Sequence, residues 1–421
     1  MFEYVASGLS FLRCNFKDTH TGYLLDELNK MWGNIRGQYD HEFSFLYNAY
    51  IEKHFGEVFF NAYRGKGIHQ VYADSGGLQI VTQGMTITPA LKQKVYESQA
   101  QYSDCAMSFD EIPVSIIGER AVRSDITSKY FDRSKFEWCA RESGRNVKNQ
   151  IETFIAMKSD AKPMFIVQGG DLDTYIKWCE LALEEIPQEL HERIGGVAMG
   201  SGGIGNGMFE DCKRAFYYTQ TPVFEMNNHL HLLGIGAVSR MVPTLAMIES
   251  GLYANKHISY DSTTHTSGVQ MGRYYGPDGV WITPGKHFIN EDGPQYTIIN
   301  NDIKKNLPSY NVTDEFFHQI MNISVRRYQA KTGDPNPPIL AFNAYFTSST
   351  INFIRHLDSV RKDFKLSEKL MGDLEYKAML EFGKVKNRSD YEKWERELGI
   401  LLPSQAVRDG QPASLNLLED F

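Results

Sequence analysis

The chain is poor in what would mark a secreted, membrane-spanning or metal-clustered protein. It has five cysteines (Cys14, Cys105, Cys139, Cys179 and Cys212), an odd number with no CxxC pair. This argues against a disulfide framework or a structural zinc cluster and for reduced thiols in a cytosol. No apolar run approaches the roughly 20 residues that cross a bilayer. The opening MFEYVASGLSFLRC has no basic leader ahead of an apolar core, so an export signal is not expected. Excess positive charge is missing too: the net charge is −8, which opposes indiscriminate coating of nucleic acid but leaves room for a local basic face. No GxGxxG follows a strand, and the glycine-rich MGSGGIGNG lacks the Lys-Ser/Thr ending of a phosphate loop. Internal repeats and low-complexity tracts are also absent.

What is present is a folded composition, 42% hydrophobic and 23% charged, in a chain of 421 residues. Short apolar segments end in glycine or polar residues: HQVYADSGG, CAMSFDEIP, KPMFIVQGG, RIGGVAMGS, HLHLLGIG, HISYDSTTH and PILAFNAYF. Amphipathic stretches at 89–103, 144–158, 172–186 and 238–250 lie between them, and Asp171 is placed to cap one. Repeated βα units over about 280 residues predict a closed (β/α)8 barrel of the α/β class. Residues 1–65 read as an N-terminal addition packed on the barrel. The barrel itself is expected over 66–365, with an insertion at 276–338 before the last strand. Residues 366–421 read as a C-terminal helical extension and tail.

Residues just past the C-terminal ends of barrel strands line one pocket. Those positions supply Asp74, Ser75, Asp110, Gln168, the Gly195–Gly196 pair and Asp261. Three acids, an amide and close-approach glycines suit a polar, planar ligand, and guanine fits chemically. One carboxylate, Asp110, can accept both N1–H and the 2-amino group. Gln168 and a backbone N–H at Gly196 can serve O6, and a glycine lets the main chain approach the base edge. Asp261 can attack C1′ of the sugar while Asp74 handles protons. Each acid also has a plainer reading, Asp74 and Asp261 as turn formers and Asp110 as a capping or salt-bridged group.

In this order, DSGGLQ, SFDE, FIVQGG, IGGVAMG, LLGIG and SYDS resemble the tRNA-guanine transglycosylase superfamily over roughly residues 70–275. The resemblance implies a barrel that exchanges guanine in a nucleic acid for a 7-deazaguanine. It implies Asp261 as nucleophile, Asp74 as acid/base, and Asp110, Gln168 and Gly196 as base recognition. Leu78 and Leu233 stand where apolar side chains sandwich the base.

The chain departs from the tRNA enzymes in several places. They carry a CxCxxC-plus-histidine zinc site after the nucleophile; here no cysteine follows Cys212, and Phe342 stands at the histidine position. STTHTSGVQ replaces their arginine-bearing segment, and Ser201 replaces a glutamate that supports an aminomethyl ammonium. These losses resemble the DNA-modifying branch of the superfamily. The expectation is a DNA-guanine transglycosylase with preQ0 favoured, no zinc subdomain, no metal and no cofactor. Its partners would be DNA, guanine and preQ0, with a helper protein for strand opening. The alternatives are a zinc-less enzyme acting on tRNA, a non-catalytic nucleic-acid-binding subunit, and a nucleoside-cleaving barrel hydrolase. Candidate nucleic-acid contacts are His265, Arg273, Arg326 and Arg327. Further basic groups are Arg120, Arg123 and Lys129; Arg141, Arg145 and Lys148; and Arg355, Arg361, Lys362 and Lys365.

Overall fold

Two segments near the start of the chain alternate with the two-residue period of a pleated strand. In FEYVA, Tyr4 and Ala6 join the outer core while Glu3 and Val5 turn inward; in EFSFLYN, Phe43, Phe45 and Tyr47 face out and Ser44 and Leu46 face in. They are the first two staves of a closed, all-parallel eight-stranded barrel. The computed structural model describes residues 2–7, 42–66, 68–77, 87–113, 132–200, 207–235, 238–262, 268–269, 273–282, 294–308, 339–363 and 372–402.

The strands are β1 Phe2–Ala6, β2 Glu42–Asn48, β3 Val71–Asp74, β4 Cys105–Met107, β5 Lys162–Val167, β6 Gly196–Met199, β7 His229–Leu232 and β8 His257–Ser262. The ring closes where β8 pairs with β1, from Phe2↔Ile258 to Ala6↔Ser262. Helices α1 Lys53–Val58, α2 Pro89–Tyr102, α3 Phe136–Ala156, α4 Leu172–Glu184, α5 Met208–Thr219 and α6 Val238–Glu249 surround it. Asp171 caps α4 as expected, its carboxylate accepting from the Thr174 N–H at 2.9 Å. On that helix Trp178 is fully buried, and its indole N–H donates to the Ile166 carbonyl of β5 at 2.9 Å. Truncating such a group to Ala costs roughly 3–5 kcal/mol.

Two expectations need correction. The described part of residues 1–65 is not an addition, because it contains β1 and β2, whose Tyr4, Phe43, Phe45 and Tyr47 face the outer core. PILAFNAYF is not the last strand either: residues Ile339–Lys362 form a 24-residue helix, α8. Its buried Phe346, Phe353, Ile354, Leu357 and Val360 recur at helical spacing, whereas a short apolar run alone cannot separate helix from strand. Part of the expected insertion is described, as the hairpin Tyr274–Tyr275/Trp281–Ile282 and helix α7 Pro294–Asn306. It follows the last strand, β8, and precedes α8. Beyond the barrel lie α9 Asp373–Phe382 and α10 Arg388–Glu397, with Trp394 and Phe382 in contact. No described helix is long and apolar enough to cross a membrane. The four described cysteines, Cys105, Cys139, Cys179 and Cys212, are buried and free.

The barrel interior is stratified. Val5, Leu46, Tyr72, Cys105, Met107, Met164, Ile166 and Ala198 form an apolar plug. Below it, toward the strand starts, Glu3, Ser44, His229, His257 and Ser259 make a buried polar group. Above it lie the strand ends.

Candidate active site

The pleat explains which side chains reach the mouth. Tyr72, Ile166, His231 and Ser259 point inward, so the next inward positions are Asp74, Gln168, Leu233 and Asp261. Asp110 lies three residues beyond β4, and buried amides set its place. Asn146 of α3 donates to the Phe109 carbonyl at 3.2 Å, Gln99 of α2 donates to the Met107 carbonyl at 2.8 Å, and Gln150 donates to Gln99 at 2.7 Å. The Glu111 N–H is held by Ser143 at 2.8 Å, and its carboxylate pairs with Lys92 at 3.1 Å. Asp110 therefore stands on a loop whose backbone is bonded from both neighbouring helices, which is the rigidity a recognition group needs. The loop after β3 turns at Gly76, whose φ of +81° is costly for any residue with a Cβ. Ser75 is buried there, its hydroxyl accepting from the Gly77 N–H at 3.3 Å.

The acids at the mouth disturb one another. Burial lifts the Asp74 carboxyl, the negative charges of Asp110 and Asp261 lift it further, and backbone N–H groups at Gly76 and Ser75 only partly offset this. The result is a pKa of about 7. Asp110 is raised to about 6, first by burial and in part by Glu111, against the stabilising bond from Gln168. That bond, Gln168 Nε2 to Asp110 Oδ2, is 2.5 Å long. Asp261 is buried, and its Oδ1 accepts from the Gly234 N–H at 2.8 Å. Gly234 has a φ of +69°, and its carbonyl accepts from Arg240 at 2.9 Å, while Arg240 is anchored on Asp211 at 2.8 Å. At neutral pH the mouth thus combines one carboxyl near half protonation with a neighbour that is mostly ionised.

The expected glycine pair is not there. Gly196 is the first residue of β6 and Gly195 precedes it, so both lie at the strand starts, at the opposite end of the barrel from Asp261. A Cβ at Gly195 would come within 2.4 Å of Lys162, and one at Gly196 within 2.7 Å of Met164, so their smallness serves strand packing. The glycine at the mouth is Gly200, whose N–H continues the β5 ladder by donating to Val167 at 2.9 Å. A Cβ on Gly200 would lie 2.5 Å from the Gln168 amide. Counting strand length from the start of VAM, rather than stopping at the first glycine pair, would have found it.

Leu233 is partly buried against the apolar plug, as an inward residue above β7 should be. Leu78, Ser201, His265, Arg326, Arg327, Arg120, Arg123, Lys129 and Lys365 lie outside the described residues. Arg273 is exposed, and its backbone N–H donates to Gly268 at 2.8 Å. The cluster on α3 is neutralised: Arg141 pairs with Glu184 and Glu185, Arg145 with Glu142 and Glu185, and Lys148 with Glu152. Arg361 and Lys362 both pair with Asp358. Arg355 donates to Asn352 and Asn306. These groups therefore read as ion-paired or amide-bound faces rather than a phosphate track.

One residue near the nucleophile candidate was missed altogether. His231 of β7 is fully buried, with Nδ1 2.8 Å from Ser259 Oγ and Nε2 3.5 Å from Asp261 Oδ1. Its only sequence signal was the HLH alternation, which places both histidines inside. Among the described residues, Glu3, His229 and His257 come nearest to a metal-ligand set, at the far end of the barrel. In comparisons with known proteins, no protein-family model matches this chain and no curated protein does.

Proposed function

We propose that the protein exchanges guanine in DNA for a 7-deazaguanine base, preQ0 being favoured, by double displacement. The observation that carries this is the convergence of Asp74, Asp110 and Asp261 with Gln168 at the strand ends, with Asp74 raised to about 7 first by burial and then by its two acidic neighbours. Asp261 attacks C1′, the C1′–N9 bond breaks, and Asp74 gives its proton to the departing guanine. The incoming base then loses its corresponding N–H proton to Asp74 and attacks C1′, which expels Asp261 and restores the starting protonation. Asp110, mostly ionised above pH 6, accepts the N1–H and 2-amino donors. The Gln168 amide that donates to Asp110 is the donor O6 needs, so base binding exchanges one bond for another.

DNA is favoured over tRNA because the resemblance to the tRNA enzymes fails at their zinc element and at the arginine-bearing segment after the nucleophile. The guanine would have to be flipped out of the duplex, which a helper protein can assist. Base exchange with labelled preQ0 and labelled guanine on duplex DNA, single-stranded DNA and tRNA tests the reading. Incorporation into DNA alone, abolished in Asp261→Ala, is the expected result. Labelling of tRNA with both DNA forms untouched would overturn it.

A further inference from the structure

The polar floor of the barrel and the acids at its mouth are joined by an unbroken chain of buried side chains. At the floor, Glu3 is fully buried and accepts from Ser44 and, at 2.8 Å, from the Tyr72 hydroxyl. Tyr72 lies 3.3 Å from His229 Nε2, and His229 Nε2 lies 2.7 Å from Ser259 Oγ. Ser259 reaches His231 Nδ1, and His231 Nε2 faces Asp261 with no other hydrogen-bond partner. One direction satisfies every contact. Tyr72 gives its proton to Glu3 at 2.8 Å, with Gln70 at 3.3 Å as a second acceptor, so toward His229 its oxygen accepts, and one Nε2–H on His229 is shared between Tyr72 and the nearer Ser259 Oγ. Burial and the neighbouring His257 and His231 hold His229 well below the usual histidine range, so it is neutral. Ser259 then accepts from His229 and has its own proton left for His231 Nδ1. His231 is left with its proton on Nε2, aimed at Asp261.

We propose that His231 is a positioning residue for Asp261, held in the Nε2–H tautomer by the Ser259–His229–Tyr72–Glu3 chain that runs through the barrel interior. The 3.5 Å contact is long for a hydrogen bond, and a small turn of the carboxylate toward a sugar carbon closes it. A hydrogen bond to Oδ1, beside the one from the Gly234 N–H, stops the carboxylate from rotating. The kinetic part of this rests on Asp261 acting as nucleophile; the tautomer does not.

The competing use of the floor is a metal ion on Glu3, His229 and His257, whose ligand atoms lie within 4.8 Å of one another. Geometry opposes it. The two imidazole rings are nearly parallel, at 16° with centroids 4.2 Å apart, so their in-plane lone pairs run side by side and do not converge on one ion.

The test is nitrogen-15 NMR of the histidine rings in the full chain, combined with kinetics. In wild type the His231 ring should carry its proton on Nε2, and Ser259→Ala should scramble that tautomer. An Nδ1–H tautomer, or a Ser259→Ala spectrum identical to wild type at His231, would overturn the proposal. So would a stoichiometric Zn2+ complex that removes the His229 N–H signal. In exchange assays His231→Phe should lower kcat about 10–100-fold with little change in KM, and His231→Gln, which can still donate to Asp261, should recover most of it. An unchanged kcat in a folded His231→Phe would sink the positioning role. If wild type exchanges no base on any polymer, the transglycosylase reading fails, and the ring spectra still decide the tautomer lock.

Discussion

Asp74 at the half-buried mouth and Glu3 at the fully buried floor are both inward carboxyl groups of one barrel, and they are pushed in opposite directions. For both, burial is the largest influence and raises the pKa. At Asp74 the neighbours are two more acids, so the shift continues upward to about 7. At Glu3 a bond and charge from His257 and hydroxyl bonds from Ser44 and Tyr72 outweigh burial, and the net shift is downward. The neighbours set the direction, since the deeper carboxyl is the one pushed down: charge is brought together without compensation at one end and compensated at the other. Uncompensated charge costs stability and makes a proton available near neutral pH; compensated charge stabilises the fold and makes no proton available.

The sharpest way to break this contrast is to remove one acid from each end. Asp261→Asn should abolish exchange, by about 10⁴-fold or more, while the urea midpoint stays level or rises. Glu3→Ala should act mainly on the fold, lowering stability by roughly 3–5 kcal/mol because buried donors lose their acceptor, with kcat in the folded fraction falling no further than the about 10–100-fold set by loosening His231. A Glu3→Ala protein as stable as wild type would mean the floor is not compensated as described. A smaller effect separates the ends by pH. Asp74 holds its proton in the folded state up to about pH 7 but loses it near 3.8 when unfolded. Folding is therefore favoured at low pH, and that stability is lost as pH rises from about 4 to 7. Asp74→Asn should accordingly be more stable than wild type at pH 8, by about 1–2 kcal/mol, with the gain vanishing near pH 4 in thermal melts. Equal gains at both pH values would rule out titration as the cause. The mildest test compares two glycines. Gly200→Ala should push the Gln168 amide away and raise the KM for the free base about 10-fold, whereas Gly195→Ala should cost about 1–3 kcal/mol of stability and leave KM alone.

The barrel, six of its staves (β3 to β8) and most of its helices were legible because apolar segments ended in glycine or polar residues at βα spacing. Asp74, Gln168 and Asp261 were legible as strand-end residues for the same reason, and the pleat then turns them inward. The two first staves were not, because FEYVA and EFSFLYN face aromatic helices outside and carry Glu3 and Ser44 inside, which hides a buried strand behind polar letters. Gly195–Gly196 misled because a glycine pair looks like a strand end, and here it is a strand start. His231 was hidden by distance along the chain: the partner that gives it meaning, Ser259, is on the next stave, and only the register His231↔Ser259 brings them side by side.

The pairing of β1 with β8 also bears on how the molecule is made. A strand at residues 2–6 finds one of its two hydrogen-bonded neighbours only at 258–262. On a ribosome adding residues at 5–20 per second, the first stave therefore waits roughly ten to fifty seconds with one edge open. During that interval Glu3 has no His257 to pair with, and the apolar face of the nascent sheet is a substrate for chaperones. A circular permutation that opens the chain between β1 and β2 and joins residue 421 to residue 1, so that β1 is made last, should spare β1 that wait while leaving the ring of staves unchanged.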